Sequence, residues 1–326
     1  MRFRSLVVVA SVVVLGAAVL VPLPLVVISP GSAEPVATRV SFEGEAEDEV
    51  SGQLFFLTVA VSQPTPVEAL SAWLDDDQAV LPRQQVIPEG VDEDQYIRAQ
   101  RQVFSESARV AAAVGLRAAG RDVRFSGKGA RVTAVVPGSP ADGKLRAGDV
   151  IAAVAGRPIA LASDLIAVTG RAEEGDVVRL SVQRDGTERE VDVTLRKVAQ
   201  LERPALGVSV ATEGFDITLP FEVKVDQGQI GGPSAGFMIA LTVYELADDG
   251  DLSRGRKIAG TGTIDATGTV GPVGGVPQKV RAAQQAGASL FLVPPDELQQ
   301  AREAAGRKLE VVAVSTLDQA IELLRR

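Results

Sequence analysis

The sequence predicts a mixed α/β protein with two folded domains behind an apolar N-terminal segment. From about Pro204 to the C-terminus, strand-like and helix-like segments alternate, which is typical of an α/β domain of about 120 residues. From about Gly115 to Lys197, short strands separated by turns indicate a mostly β domain. The 326 residues are 46% hydrophobic and 23% charged, which supplies enough apolar side chains for both cores.

The N-terminus predicts a membrane segment. Arg2 and Arg4 precede an apolar run from Leu6 to Ile28, long enough to cross a hydrocarbon core of roughly 30 Å. The next basic residue is Arg39, so the positive-inside rule predicts a cytoplasmic N-terminus and export of the bulk of the chain. We therefore expect a single-pass transmembrane helix in the cytoplasmic membrane.

The boundaries of this anchor have two interpretations. The first takes residues 1–33 as an uncleaved signal anchor, followed by an extracytoplasmic segment over residues 34–114. The second is a cleaved signal peptide, because Gly31-Ser32-Ala33 has small residues at suitable offsets. Within residues 34–114 we expect a buried strand and two helices over Gln53–Val61, Val67–Leu74 and Gln95–Val114.

The composition excludes several classes of chemistry. The chain contains no histidine and no cysteine, which rules out zinc fingers, thiol nucleophiles and a Ser-His-Asp triad. Its formal net charge of -9 argues against a nucleic-acid partner. The acidic run Asp75-Asp76-Asp77 is interpreted as a solvated turn, so we expect no metal and no cofactor. The stretch Gly138–Lys144 has phosphate-loop spacing, but Leu145 replaces the Mg-binding Ser or Thr, so we expect no nucleotide.

The mostly β segment carries a recognisable motif. Residues Gly138–Ile151 read GSPADGKLRAGDVI and resemble the PDZ-domain pattern G-S-P-A-x-x-A-G-L-x-x-G-D-x-I. The resemblance implies a PDZ domain over residues 115–199 that binds an extended or C-terminal peptide as an added strand. The groove is expected beside the helix that starts at Leu161, near Leu161, Leu165 and Val132. The loop Ser126–Ala130 departs from the usual carboxylate-binding pattern, which leaves the choice between tails and internal segments open.

The C-terminal part contains a candidate nucleophile. Ser234 lies in Gly231-Gly232-Pro233-Ser234-Ala235-Gly236, where Gly232 and Pro233 favour a tight turn into a helix. At a helix N-terminus, unpaired N–H groups stabilise developing negative charge. The same local geometry fits a serine that only caps the helix, and the hexapeptide alone does not separate these interpretations.

A base for Ser234 has to come from a lysine, a carboxylate or the terminal amine. Among the seven lysines, Lys279 stands out because it begins a helix after Pro277 and has the small neighbours Ala282 and Ala283. Burial would lower its pKa and leave it neutral enough to accept a proton. A solvated helix position is the alternative for this lysine.

These residues match a second family. The chain reads GPSAG over 232–236, TGTI over 261–264 and GTVGPVGGVPQKVRAA over 268–283, which closely resembles the Lon protease proteolytic domain. The resemblance implies such a domain over residues 203–326 and a Ser-Lys dyad of Ser234 and Lys279. It also implies that Thr261 orients the lysine and that the protein assembles as a homo-hexamer.

The sequence departs from the Lon pattern at three places. Gly231 stands where Asp is common, Thr263 stands where Glu is frequent, and the histidines of the preceding strand are absent. The dyad and the threonine remain, so these departures bear on regulation rather than on activity. No Lon ATPase is recognisable, and the order of anchor, PDZ and Lon-like segments resembles bacterial membrane-bound PDZ–Lon-like proteases.

We therefore expect an ATP-independent serine endopeptidase that cleaves flexible or unfolded protein segments recruited by the PDZ domain. A non-catalytic PDZ/Lon-like peptide-binding scaffold is the main alternative, and it requires Lys279 to be exposed or far from Ser234. A small-molecule kinase is a third possibility, which requires a Mg-binding carboxylate near Ser234, with Asp265 as the candidate.

Overall fold

The computed structural model describes residues 21–44, 50–198, 204–248 and 250–326. The strands are β1 (Leu25–Pro35), β2 (Val40–Phe42), β3 (Gln53–Ser62), β4 (Ala79–Pro82), β5 (Arg124–Ser126), β6 (Ala130–Val135), β7 (Val150–Val154), β8 (Arg157–Pro158), β9 (Val177–Arg184), β10 (Thr187–Thr194), β11 (Arg196–Lys197), β12 (Pro204–Ala205), β13 (Val208–Thr212), β14 (Asp216–Thr218), β15 (Val223–Val225), β16 (Lys257–Gly260), β17 (Thr263–Ile264), β18 (Val270–Gly271), β19 (Leu290–Val293) and β20 (Glu310–Ala313). The helices are α1 (Pro66–Trp73), α2 (Glu93–Ala118), α3 (Ala162–Thr169), α4 (Gly236–Ala247), α5 (Val276–Gln285), α6 (Leu298–Ala305) and α7 (Leu317–Arg325).

The chain divides into two compact units. The discontinuous unit combines Met1–Asp122 with Pro220–Arg326, and the inserted unit is Val123–Leu219. The sequence predicted three consecutive parts with boundaries at 114/115 and 199/203. In the structure α2 runs through the first of these boundaries, and β13 and β14 pair with β6 and β5 of the inserted unit. The N-terminal and C-terminal parts of the chain therefore share one fold.

A six-stranded mixed sheet forms the centre of the discontinuous unit. Its strand order is β20-β19-β16-β3-β1-β4, with parallel pairing from β20 to β3 and antiparallel pairing from β3 to β4. The N-terminal part thus supplies β1, β3 and β4, which is half of the sheet. In β3, Phe55 and Leu57 pack with α5, while Phe56 meets Phe104 of α2 on the opposite face. Alternate residues of one apolar run therefore bury both faces of the sheet.

Two helices cross closely on one face of this sheet. Every residue of α4 is buried, as its continuous apolar sequence requires. It packs against α2 at Gly115, where a Cβ atom would lie 2.4 Å from the Ala240 carbonyl oxygen. Only glycine permits this approach, which brings the middle of α2 against the helix that follows Ser234.

The prediction of a transmembrane helix through residues 1–33 is wrong for its last third. Leu25–Pro35 form β1, which pairs with β3 and β4 inside the sheet, so Gly31-Ser32-Ala33 also lie within a paired strand. Residues 1–20 lie outside the described residues. None of the helices in the described part of the chain has both the length and the apolar character needed to cross a bilayer. An apolar run rich in β-branched residues fits a buried strand as well as a membrane helix, and hydropathy does not separate the two.

The inserted unit is a small β domain. Its main sheet has the order β10-β9-β7-β6-β13, with β8 added to β7. The predicted hairpin turn Asp185-Gly186 is confirmed, because both residues adopt positive φ angles of 52° and 76°. Asp149 is buried and accepts hydrogen bonds from Arg184 Nε at 2.7 Å and the Arg146 N–H at 2.9 Å. These bonds fix the loop that the PDZ-like motif predicted.

The predicted groove residues of this unit occupy other positions. Val132 and Leu165 are fully buried members of its core, and only Leu161 is partly exposed. Their apolar side chains fill the space between α3 and the sheet, so they support the groove rather than line it. Of the two outer strands, β13 is the one that contacts α3. The sheet edge beside the helix therefore belongs to a strand that the sequence analysis missed.

The assignment of β1 gives a direct prediction. A protein that begins at Glu34 lacks most of β1, which leaves β4 without its partner and removes the buried side chains of Val26 and Val27. We expect it to show no cooperative thermal unfolding by circular dichroism, whereas a protein that begins at Val21 unfolds in one transition. Equal melting temperatures for the two proteins would contradict the placement of β1.

Candidate active site

The turn before Ser234 is held in place by α2. The Gly232 N–H donates to the Gln100 carbonyl oxygen at 2.8 Å, and Gly232 has a φ angle of 84°. Ser107 Oγ donates to the Pro233 carbonyl oxygen at 3.3 Å. A Cβ atom on Gly231 would lie 2.8 Å from Gln100 Cβ, so the turn lies tightly against the helix. The structure thus explains why glycine, rather than the Asp common in the Lon pattern, stands at position 231.

Ser234 is not the cap of α4. The helix begins at Gly236, its N-cap is Ala235, and no side chain forms a cap hydrogen bond there. The interpretation of Ser234 as a simple helix cap is therefore wrong. The N–H groups of Gly236 and Phe237 are bonded to Pro233 and Gly262 carbonyl oxygens.

Thr261 connects the serine turn to the end of β16. Its Oγ1 donates to the Ser234 carbonyl oxygen at 3.2 Å. The neighbouring Gly262 N–H donates to the same oxygen at 3.0 Å. The Thr261 N–H in turn donates to Leu292 on β19 at 3.0 Å. The backbone of Ser234 is therefore tied to the parallel part of the sheet.

Lys279 is the third residue of this site, after Ser234 and Thr261. It lies in the first turns of α5, which starts after Gly275 in a left-handed conformation with a φ angle of 69°. Its side chain is only 3% exposed, and its Nζ donates to Thr261 Oγ1 at 3.0 Å. One hydroxyl thus accepts from Lys279 and donates to Ser234, as the donor and acceptor capacity of threonine allows.

Burial changes the chemistry of this lysine. Desolvation of the ammonium form lowers the pKa of Lys279 to about 8, while the carboxylate of Glu297 acts in the opposite direction. A substantial fraction of the amine is therefore neutral at slightly alkaline pH. A neutral amine keeps a lone pair that can accept a proton.

Glu297 is a polar neighbour that the sequence analysis missed. Its Oε1 accepts from the Val273 N–H at 3.2 Å, and its Oε2 is buried without a hydrogen-bond partner among the described residues. The carboxylate therefore holds the loop that leads into α5 and places negative charge near Lys279. An acidic residue just before a helix was its only sequence signal.

Ser234 and Lys279 open into one cleft of about 880 Å³. In the described part of the chain no hydrogen bond joins Ser234 Oγ to Lys279 Nζ, so Thr261 is the group that links their positions. The walls come from β1, β3, α2 and the loop before Ser234, and among the residues they contribute are Ile28, Glu34, Thr58, Val59, Val61, Tyr96, Gln100, Arg101 and Ile230. Most of these belong to the N-terminal part, in which the sequence analysis found no functional motif.

The cleft combines an open strand edge with partly exposed charged side chains. β16 pairs with β3 only as far as Gly260 and Phe56, so on that side the remainder of β3 has no strand partner among the described residues. Arg39 lies on the cleft wall and pairs with Glu34 at 2.7 Å and Asp226 at 3.5 Å. An unpaired strand edge beside Ser234 suits an extended chain rather than a compact small molecule.

The structure offers little for metal binding. Within the described residues no three acidic side chains come together in a way that could hold a metal ion. In the run at 75–77, the Asp75 carboxylate accepts from the Asp77 N–H and from Gln78, and Asp77 pairs with Arg281 at 2.5 Å. These contacts describe a capped surface turn.

Comparison with known proteins agrees with both motifs. Residues 106–195 match the PDZ domain, and residues 214–325 match the Lon protease (S16) C-terminal proteolytic domain. Lon protease 2 of Bacillus subtilis is 28% identical over 163 residues, covering 48% of this chain and 27% of that protein. The Lon protease of Heliobacterium modesticaldum is 30% identical over 161 residues, covering 48% of this chain and 18% of that protein. The chain thus spans less than a third of the length of these curated relatives.

A solved structure is similar to one of the two segments. The crystal structure of the PDZ domain of an SdrC-like protein from Listeria monocytogenes is 23% identical, covering 26% of this chain and 87% of that chain, with a TM-score of 0.24. The two matched segments show that the chain carries a PDZ domain and a Lon-type proteolytic domain, and Lon proteases are among its homologues. This homology supports a serine protease function.

The opposing effects of burial and of Glu297 on the pKa of Lys279 can be measured directly. We expect an NMR titration of the lysine side chains to give Lys279 a midpoint of about 8, and Glu297→Gln to lower it further, because the substitution removes the negative charge. The amide oxygen of the glutamine can still accept from the Val273 N–H, so the loop is retained.

The matched control is Glu303→Gln, on an exposed position of α6. It is expected to leave the Lys279 midpoint in place. A midpoint that stays fixed or rises in Glu297→Gln would contradict this description of the site.

Proposed function

We propose that the chain is an ATP-independent serine endopeptidase with Ser234 as nucleophile and Lys279 as general base and acid. The observation that carries this proposal is the buried Lys279 amine, bonded through one threonine hydroxyl to the backbone of Ser234 in a shared cleft. A lysine with a pKa of about 8 is suited to accept a serine proton near neutral pH.

The reaction follows from these positions. Ser234 Oγ attacks the peptide carbonyl carbon while its proton moves to Lys279 Nζ. Lys279 returns that proton to the leaving amine as the C–N bond breaks, which leaves an acyl group on Ser234. Water then attacks the acyl carbon, gives a proton to Lys279, and the proton returns to Ser234 Oγ as the acid product leaves.

The start of α4 supplies candidate donors for the oxyanion. The N–H groups of Gly236 and Phe237 already have acceptors, which leaves those of Ser234 and Ala235, for which the described residues supply none. Backbone N–H groups at a helix N-terminus favour negative charge, and one such donor is often worth about 3 kcal/mol in the transition state.

The substrate class follows from the shape of the cleft. The unpaired edge of β3 can accept an extended segment by strand addition beside Ser234. A compact folded protein cannot supply such a segment, so we propose flexible or unfolded polypeptides as substrates. ATP independence is proposed because the phosphate-loop spacing at Gly138–Lys144 is followed by Leu145 where a Mg-binding Ser or Thr would be needed.

We also propose that the PDZ domain recruits substrate and that the enzyme works at the outer face of the cytoplasmic membrane. Recruitment is supported by β13, which contacts α3 and has no strand partner on its outer side among the described residues. The location is supported by Arg2 and Arg4 before an apolar stretch that reaches the first described residue, Val21. A homo-hexamer is proposed on the resemblance to Lon proteases alone.

The two rival functions fit the geometry less well. A non-catalytic scaffold required Lys279 to be exposed or distant from Ser234, and neither condition holds. A kinase required a free carboxylate near Ser234. Asp265 instead accepts from Thr267 and Thr269 and thereby closes its own loop.

Substitution of the dyad tests the proposal. We expect Ser234→Ala and Lys279→Met each to lower casein cleavage by at least about 1000-fold, because nucleophile and base act as a unit. Lys308→Ala, at an exposed lysine of the same unit, is the control and is expected to keep wild-type activity. Comparable cleavage by all four proteins would exclude the dyad.

Thr261 has its own prediction. Thr261→Val removes the acceptor for Lys279 Nζ and leaves a buried donor unpaired, so we expect kcat to fall about 10- to 100-fold with little change in KM. Thr261→Ser keeps the hydroxyl and is expected to retain most of the activity. If the valine and serine variants have equal kcat, the hydroxyl does not position the lysine.

A further inference from the structure

Helix α1 exposes its apolar side chains instead of burying them. Val67, Leu70, Trp73 and Leu74 are 54%, 59%, 75% and 71% exposed. We call these four residues the α1 apolar face. The helix buries only Ala69 and Ala72 against the rest of the unit. Four large apolar side chains along the outside of one short helix are a contiguous patch of the kind that marks an interaction surface.

The helix itself is firmly built. Thr65 and Glu68 form a capping box, in which the Thr65 N–H donates to Glu68 Oε2 at 2.8 Å and the Glu68 N–H donates to Thr65 Oγ1 at 3.4 Å. Pro66 occupies the first turn, where its fixed φ favours the helix. The exposed face is therefore a property of an ordered element.

The N-terminal segment of the chain meets the structure at this helix. The Leu23 N–H donates to the Pro64 carbonyl oxygen at 2.8 Å, and Gln63 Nε2 donates to the Leu23 carbonyl oxygen at 2.8 Å. Val21 is 53% exposed beside this junction. Residues 5–20, which precede it, contain no charged side chain and are almost wholly apolar. The point where an apolar segment joins the fold thus adjoins the α1 apolar face.

We propose that the α1 apolar face lies in the headgroup–acyl boundary of a lipid bilayer. The inference rests on the membrane location given under Proposed function. We propose lipid rather than a protein partner because the α1 apolar face is small, contains a tryptophan and adjoins the segment that would enter the bilayer. The exposed charged residues next to this face in sequence are acidic, namely Glu68, Asp75 and Asp76, so insertion of side chains rather than attraction to anionic lipid supplies the contact.

The contact between the α1 apolar face and lipid sets the orientation of the cleft relative to the membrane. Val61 lines the cleft and lies in the last part of β3, directly before the turn into α1. One end of the cleft is therefore brought to the bilayer surface. Flexible segments that emerge from the membrane are the substrates this arrangement reaches first.

The chain contains a built-in reporter for this contact, because Trp73 is its single tryptophan. The full chain is reconstituted in phosphatidylcholine vesicles, with or without lipid brominated near the headgroup end of the acyl chains. We expect the brominated lipid to quench Trp73 fluorescence at least about two-fold and the bilayer to shield Trp73 from aqueous acrylamide.

A matched reporter controls for non-specific quenching. Trp73→Phe combined with Arg307→Trp moves the single indole to an exposed position just before β20, at the opposite edge of the sheet from β4. Five strand spacings of about 4.8 Å separate the two edges, so this reporter is expected to stay unquenched by lipid. Leu70→Glu with Leu74→Glu is expected to reduce the quenching of Trp73 at least by half without changing casein cleavage.

Three results overturn the proposal. If acrylamide quenches Trp73 fluorescence and brominated lipid does not, Trp73 lies in water. If neither acrylamide nor brominated lipid quenches Trp73 fluorescence, Trp73 is covered by protein, for example by a second copy of the chain. Failure of the chain to float with vesicles would reject the membrane location itself. Casein cleavage, measured on the same samples, reports on the protease proposal independently of the fluorescence.

Discussion

The buried amine of Lys279 is the interaction on which the rest of the site depends. A lysine removed from water needs a hydrogen-bond partner, and the Thr261 hydroxyl supplies it at 3.0 Å. Because that hydroxyl also donates to the Ser234 carbonyl oxygen, three separate elements are fixed against one another. At an ordinary position, burial of a lysine destabilises the fold. Here burial also lowers the pKa of Lys279 to about 8, which suits the proposed role of this residue as a base.

The N-terminal part of the chain makes this burial possible. β1 and β3 form the floor on which α5 packs, and α2 holds the serine turn through the Gln100 carbonyl oxygen. The C-terminal segment contains the reactive side chains but not the walls around them. The discontinuous unit is therefore assembled from both ends of the chain, with the PDZ domain inserted between them in sequence.

Local chemistry made parts of the structure predictable from sequence. The Asp185-Gly186 turn and the strand at β19 follow from short patterns whose geometry depends little on context. The link between Lys279 and Thr261 came from motif spacing and a family resemblance, and the structure places the two side chains in contact. In these places local preference and the final fold agree.

Tertiary context decided what the sequence did not reveal. Leu25–Ile28 at the start of β1 continue an apolar run with the hydropathy of a membrane helix, and pairing with β3 and β4 makes them part of a strand. Val132 and Leu165 were predicted to lie near the peptide groove, and the structure places both in the core of the inserted unit. Gln100 carries no local signal for its role, and the only local signal of Glu297 is its place just before a helix, because a polar residue at such positions is usually solvated.

The most direct test is the pH dependence of acylation at Ser234. A p-nitrophenyl ester of a blocked peptide is mixed with the full chain, and the acyl group is located by mass spectrometry. If Lys279 is the base, the acylation rate constant rises with pH through a midpoint of about 8, since only the neutral amine accepts the serine proton, and this rise disappears in Lys279→Met. An unchanged rate profile in Lys279→Met, or an acyl group on a residue other than Ser234, would contradict the account.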